Sequence, residues 1–241
     1  TEDQLQKHGL KLTPQQIEDA QEGEIVNGCL ILKKDEYESS MFKYREDFEA
    51  VFALKLKIVP ANMFYKAKNL KTVVMLEAEE IADDQNESEM SENSQKEDED
   101  EVGAFVLTAV EICYFPKMKR IGTYAFCKCP IQKLNKDNFP CLEEIGNSGF
   151  AACDITEIDL PQLQSVSNRG FSYCNRLKWL SAEKLEQIGD FCLSSCPFLS
   201  SINCHFEPEK FTCFGCDECP VCYRDIEYCL QRGRSGEKEK E

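Results

Sequence analysis

Ile121-Gly122-Thr123-Tyr124-Ala125-Phe126-Cys127-Lys128-Cys129 is written again as Ile145-Gly146-Asn147-Ser148-Gly149-Phe150-Ala151-Ala152-Cys153. It returns as Val166-Ser167-Asn168-Arg169-Gly170-Phe171-Ser172-Tyr173-Cys174 and as Ile188-Gly189-Asp190-Phe191-Cys192-Leu193-Ser194-Ser195-Cys196. The terminal cysteines step by 24, 21 and 22 residues, and the leading Ile/Val residues step identically. Between the units a second pattern recurs: Ile155, Ile158, Leu160, Leu163 and Val166, then Leu177, Leu180, Ala182, Leu185 and Ile188. A fixed period in the low twenties with apolar residues at fixed offsets predicts a solenoid, one unit per coil. Each coil supplies a short strand, over residues 158–160, 180–182 and 202–204, whose alternate side chains point inward. The Gly-x-x-Ala/Gly-Phe segment returns along the other side with its Phe in the interior. One coil cannot bury that face alone, so it stacks on its neighbours. Cys129, Cys153, Cys174 and Cys196 then form a column, read as small buried hydrophobes. Disulfides or metal sites along the column are the alternative.

The run I-G-x-x-A-F-x-x-C-x-x-L-x-x-I-x-L-P-x-L resembles the BspA-type, or Treponema-type, leucine-rich repeat, well over residues 107–204 and less well over 58–76. The resemblance implies an α/β leucine-rich-repeat solenoid of stacked short strands with loop or short-helix returns, capped at both ends. It also implies a source among the anaerobic protists in which such repeats abound, a role in protein binding or in adhesion at a cell surface, and no catalysis. Neither the acidic stretch nor the cysteine-rich end of this chain belongs to the repeat.

The net charge of −16 is local: residues 77–101 hold thirteen Asp/Glu against Lys96 alone, three-quarters of the total. No basic stripe exists to track phosphates, which argues against a nucleic-acid surface. No apolar run approaches a membrane span. No signal-peptide pattern is present, although a start at Thr1 leaves room for a removed leader. Fifteen cysteines, an odd number, argue against a fully disulfide-bonded framework and lean towards a reducing cytosol over a cell surface.

In chain order, residues 1–57 are expected to form an N-terminal cap over the first coil. Thr13-Pro14-Gln15-Gln16 reads as a capping box opening a short helix that stops at Gly23. Asn27-Gly28 between apolar runs reads as a hairpin turn. Residues 36–49 read as an amphipathic helix, and Phe52, Leu54, Leu56 and Ile58 as a strand. Residues 58–81 form a degenerate first repeat, with Ile58, Phe64, Leu70 and Val73 taking, to within two residues, the offsets of the later units. Residues 82–102 are too acidic to build a core and are expected to be a disordered insertion, with Ser94 a phosphorylation candidate and Asn86-Glu87-Ser88 a glycosylation sequon. The solenoid proper spans 103–204, a cysteine-rich cap 205–230, and a disordered tail 231–241.

Period-two alternation assigns the outward strand positions: Glu111 and Cys113, Lys133 and Asn135, Glu157 and Asp159, Trp179 and Ser181, Ser201 and Asn203. That face is the expected protein-binding surface, with Glu157, Asp159, Trp179, Ser181 and Lys133 as candidates and the lone tryptophan as anchor. Cys213, Cys216, Cys219 and Cys222 follow at three-residue steps. Zinc on these four is one reading, although paired Cys-x-x-Cys ligands usually lie further apart. Zinc completed by Cys204, His205 or Cys229 is another. A disulfide or free-thiol cap and an iron–sulfur cluster remain open. Two histidines, His8 and His205, and no nucleophile–base pair leave catalysis without a footing. The function expected is a non-catalytic protein-interaction solenoid. The alternatives are a metal or redox protein acting through the terminal cysteines, and a cell-surface adhesin.

Overall fold

A computed structural model describes residues 2–84 and 103–236. The acidic insertion, with Ser94 and the Asn86 sequon, and the end of the tail fall outside the described residues apart from residues 82–84 and 231–236. Helices α1 (Glu2–Lys7) and α2 (Pro14–Asp19) come first, followed by hairpin β1 (Ile25–Val26) and β2 (Cys29–Leu32). The solenoid alternates a long strand with a two-residue strand. The long strands are β3 (Ala50–Ala53), β5 (Thr72–Met75), β7 (Ile112–Tyr114), β9 (Lys133–Asn135), β11 (Glu157–Asp159), β13 (Trp179–Ser181) and β15 (Ser201–Asn203). The short ones are β4 (Ile58–Val59), β6 (Glu80–Ile81), β8 (Arg120–Ile121), β10 (Glu144–Ile145), β12 (Ser165–Val166) and β14 (Gln187–Ile188). α3 (Pro220–Tyr223) and α4 (Ile226–Arg234) close the chain.

The long strands stack as two successive parallel sheets, β2-β3-β5-β7 with β1 antiparallel at the edge, then β9-β11-β13-β15, while the short strands form one six-stranded ladder. Ile158 pairs in register with Leu134 and Leu180, and Leu180 with Ile202, so the same inward position is filled in every one of these coils. The phenylalanines stack likewise. Ring centroids lie 5.4 Å apart for Phe42–Phe64, 5.3 Å for Phe64–Phe105, 4.8 Å for Phe105–Phe126, 5.2 Å for Phe126–Phe150 and 6.2 Å for Phe150–Phe171. These distances follow the coil repeat, which is the strand spacing of about 4.8 Å. The recurring glycine after the short strand has a steric cause: a Cβ on Gly189 would lie 2.4 Å from the Asn168 nitrogen of the coil before.

The cysteine column is buried and reduced, and it has a hydrogen-bonding role. The thiols of Cys129, Cys153, Cys174 and Cys196 donate to the carbonyls of Phe105, Phe126, Phe150 and Phe171, one coil back, at 3.0, 3.1, 3.3 and 3.3 Å. A small side chain that buries well and still carries a weak donor suits a position facing a carbonyl of the neighbouring coil. Burial pushes the Cys129 and Cys174 thiols up to about 12.

The Thr13 capping box forms as expected, with Thr13 Oγ1 accepting from the Gln16 amide at 3.2 Å and Gln16 Oε1 accepting from the Thr13 amide at 2.9 Å. The helix ends earlier than expected, at Asp19. The Asn27-Gly28 turn is present, both residues at positive φ.

Other local expectations are corrected. Residues 36–49 hold no helix. Phe42 and Phe48 are buried in the main core, and the Phe42 and Tyr44 amides donate to the Met63 and Tyr65 carbonyls of the next coil. This ladder overrides local helix propensity. The coil ladder therefore begins at Cys29, upstream of residue 58, with β2, β3 and β5 pairing in parallel. Within the degenerate repeat, Val59 rather than Ile58 points inward, Ile58 being 53% exposed. That restores the five-residue step to Phe64 seen from Ile145 to Phe150. Cys113 also points inward, and Ile112 and Tyr114 take the outward positions of β7. Residues 231–234, expected in the tail, extend α4.

The N-terminal segment covers a face, not an end. Leu5, Leu10, Leu12 and Ile17 pack on Cys29, Ile31, Phe52 and Val74, the outward residues of the first sheet. His8 stacks on Tyr114 with centroids 4.0 Å apart. At the other end α4 lies against β15, so closely that a Cβ on Gly233 would sit 2.1 Å from the Ile202 carbonyl oxygen. Both edges of the long-strand stack are thereby blocked against further pairing, β2 by β1 and β15 by α4.

Candidate functional site

The second long-strand sheet places the five candidate binding residues in two rows. Lys133, Glu157, Trp179 and Ser201 are neighbours across one row, and Asn135, Asp159, Ser181 and Asn203 across the other. Glu157 and Lys133 are exposed, and Lys133 Nζ lies 3.7 Å from Glu157 Oε2, a solvated pair of the kind that contributes little to stability. Trp179 and Asp159 are half-buried. Ser181 departs from the expectation of an exposed contact residue: it is 7% exposed, and its hydroxyl accepts from Asn203 Nδ2 at 3.2 Å. The Asn203 amide also reaches Glu183 Oε1, at 3.1 Å, so Ser181 forms part of the floor beneath Asn203. The face thus has two halves. The first is apolar and covered by the N-terminal helices, and the second is polar and carries Trp179 in the row between Glu157 and Ser201.

The terminal cysteines form the second site. The Sγ atoms of Cys213, Cys216, Cys219 and Cys222 all lie within 4.8 Å of one another, and the group can hold a metal ion. Cys213–Cys216 are 3.4 Å apart, Cys216–Cys222 3.8 Å and Cys219–Cys222 3.8 Å. An ion bound to four thiolates at about 2.3 Å sets tetrahedral edges of about 3.8 Å. The short spacing that made one shared site look tight is accommodated by the backbone. Gly215 (φ +85°) turns the chain between the first and second thiols, and Asp217 (φ +56°) turns it between the second and the third. Cys219 caps α3 and Cys222 sits on that helix, which starts at Pro220. Cys204, His205 and Cys229 do not join the group. Cys229 instead donates to the Leu199 carbonyl at 3.4 Å, and His205 is exposed.

The surroundings favour thiolate on two of the four, Cys213 and Cys216. Burial pushes the Cys216 thiol up, but the amides of Glu218 and Ser195, together with the neighbouring thiols Cys213 and Cys219, outweigh it and bring the group down to about 6. Cys213 is also lowered: the Ser194 hydroxyl and the Cys216 amide outweigh burial. Cys219 and Cys222 are raised, chiefly by burial, so charge forms first on the Cys213–Cys216 pair.

Sequence reasoning missed the residues that seat this cluster. The Ser195 amide donates to Cys216 Sγ at 3.3 Å, and the Ser194 hydroxyl lies 2.8 Å from Cys213 Sγ. The Phe191 amide donates to Thr212 Oγ1 at 2.9 Å. Phe214 stacks on Phe191 with centroids 3.8 Å apart, and the Arg169 guanidinium lies 4.8 Å from the Phe214 ring. The repeat register could have pointed to Phe191 and Ser195, since they match Arg169 and Tyr173 one coil earlier.

The fold is a leucine-rich-repeat solenoid. Residues 101–214 match the BspA type leucine rich repeat region in six copies. No curated protein matches the sequence. A solved structure of the pneumococcal vaccine antigen PcpA aligns with a TM-score of 0.33 at 16% identity, over 66% of this chain and 51% of that one. The chain thus spans about half of that protein's length. No helix among the described residues is long and apolar enough to cross a membrane.

Proposed function

We propose that this chain is a non-catalytic interaction solenoid that binds a partner protein through the uncovered half of its long-strand face. The observation that carries the reading is Trp179, the chain's single tryptophan, half-buried between Glu157 and Ser201 beyond the part of the face that the N-terminal helices cover. A half-buried aromatic amid polar neighbours is the usual make-up of an interface anchor with its rim. Lys133, Glu157 and Asp159 supply that rim, and Ser181 supports it from below. The test is affinity capture by the full chain, compared with Trp179→Ala and Glu157→Lys on the face and Tyr173→Ala on the opposite turns. A partner held by wild type and by Tyr173→Ala, but bound about tenfold or more weakly by both face variants, supports the reading. Partners held equally by all four proteins would sink it.

A second reading concerns the chain's end, where the convergence of four thiols within 4.8 Å supports a structural zinc site on Cys213, Cys216, Cys219 and Cys222. Separations this small suit one ion better than an iron–sulfur cluster, which needs several metals between the thiolates. This reading puts the chain in a reducing compartment, where four thiolates remain available to the ion. Elemental analysis of the reduced, purified chain tests it, with about one zinc per chain expected.

A further inference from the structure

In the coils before the last, the turn after the short strand donates its backbone N–H groups to carbonyls of the coil that follows. Ser148, Phe150 and Ala152 donate to Asn168, Gly170 and Ser172, and Arg169, Phe171 and Tyr173 donate to Asp190, Cys192 and Ser194. The last coil has no successor. Its Phe191 and Ser195 occupy the places of Arg169 and Tyr173, with the same positive φ of 60° and 55° against 59° and 59°. Their amides still find acceptors, but different ones: Thr212 Oγ1 for Phe191 and Cys216 Sγ for Ser195. Thr212 Oγ1 in turn donates to Asp190 Oδ1 at 3.1 Å, which fixes its lone pair towards Phe191.

We infer that the metal-bound four-cysteine knot takes the place of the missing next coil, so that zinc binding is what terminates the turn side of the solenoid. This rests on the zinc reading of the same four cysteines. A buried amide left without an acceptor costs free energy, and without a cross-link only loop contacts hold Cys216 Sγ at the Ser195 amide. A metal-bound thiolate is a charged acceptor held at a fixed point. The covalent path carries the effect further: Cys219 and Cys222 anchor α3, and two residues separate α3 from α4, the helix that covers the β15 edge. One ion thus secures both closures, the turn ladder through Cys216 and the strand edge through α3 and α4. Without the ion, residues 212–222 lose their cross-link, and both closures depend on loop contacts such as Phe191–Phe214.

The experiment is hydrogen exchange by mass spectrometry on the full reduced chain, as purified with zinc, after chelation, and after zinc is returned. Removal is expected to speed exchange about tenfold or more in peptides covering residues 190–196 and 201–203, to leave residues 145–171 within about twofold, and to reverse on zinc addition. Cobalt in place of zinc gives a second readout, a thiolate charge-transfer spectrum of tetrahedral type, which requires no variant to fold. A chain that takes up no zinc, its four thiols free or oxidised, overturns the zinc reading and this inference with it. Stoichiometric zinc whose removal leaves residues 190–196 unchanged overturns the inference alone. So does removal that speeds exchange equally in all coils, since that would be global destabilisation.

Discussion

Phe126→Ala removes the best-stacked ring of the aromatic column. Phe126 is fully buried, parallel to Phe105 within 4° at 4.8 Å and to Phe150 within 5° at 5.2 Å. Its edges also meet Phe115 at 6.0 Å and Phe139 at 6.3 Å. Truncating a buried Phe costs about 3–5 kcal/mol through lost transfer energy and the cavity left behind. Each stacked pair adds about 0.5–1.5 kcal/mol beyond area, and two stacks are lost together, so the upper end, about 5 kcal/mol, is expected. Phe126→Leu keeps most of the volume and should cost less than half as much. Phe198→Ala, at a site 65% exposed, should stay within about 0.5 kcal/mol. Urea unfolding followed by circular dichroism and by Trp179 fluorescence gives the comparison. Because Trp179 reports the later coils and circular dichroism the whole chain, a broken column should also separate the two transitions, as expected when nearest-neighbour coupling in a repeat array is cut. Phe126→Ala within about 1 kcal/mol of wild type, or indistinguishable from Phe198→Ala, would refute the claim that stacked rings carry the coil interface.

Two further outcomes follow from named groups. Asp83 accepts from the Thr123 amide at 2.7 Å and pairs with Arg120; together these outweigh burial and hold its carboxyl below its ordinary 3.8. A depressed folded value means this contribution is complete above pH 3.8 and fades as pH falls through the lower folded value. Asp83→Asn should therefore lower stability at pH 7 by less than about 1 kcal/mol, given the partial exposure, and shrink that deficit towards pH 2, as read by urea titration at several pH values. For the thiols, Cys141 is exposed while burial pushes Cys129, Cys174 and Cys192 up to about 12. Iodoacetamide on the native protein at pH 8, mapped by peptide, should label Cys141 before any thiol of the column. Label on Cys174 before unfolding would contradict a closed column.

The solenoid was legible because repetition writes three-dimensional information along one dimension. Any residue recurring at Phe126, Phe150 and Phe171 must meet the same neighbours in the same way, so offsets alone identify the inward ring and the strand position. Where local chemistry was self-sufficient it was legible too, as in the Thr13 capping box and the Asn27-Gly28 turn. The first coils were harder, since Val59 next to Ile58 and Phe42 within a helix-like pattern offer competing periodicities. Only the backbone ladder to Met63 and Tyr65 settles which one wins. A one-residue ambiguity also reversed Cys113, because a period of two places every slipped side chain on the other face.

Tertiary structure decided how the long-strand face is divided and what the terminal cysteines are joined to. No local signal in residues 5–17 says that Leu5, Leu10 and Ile17 lie on Phe52 and Val74 instead of capping an end. That choice comes from where the first sheet leaves apolar side chains uncovered. The three-residue spacing of Cys213, Cys216, Cys219 and Cys222 was plain in the sequence. Their convergence within 4.8 Å required the turns at Gly215 and Asp217. Their contact with Ser194 and Ser195 required the solenoid to end where it does. Spacing specifies which atoms a short segment can bring together, whereas the last coil's amides, with no further coil to accept from them, take up their positions only once all the preceding coils have stacked.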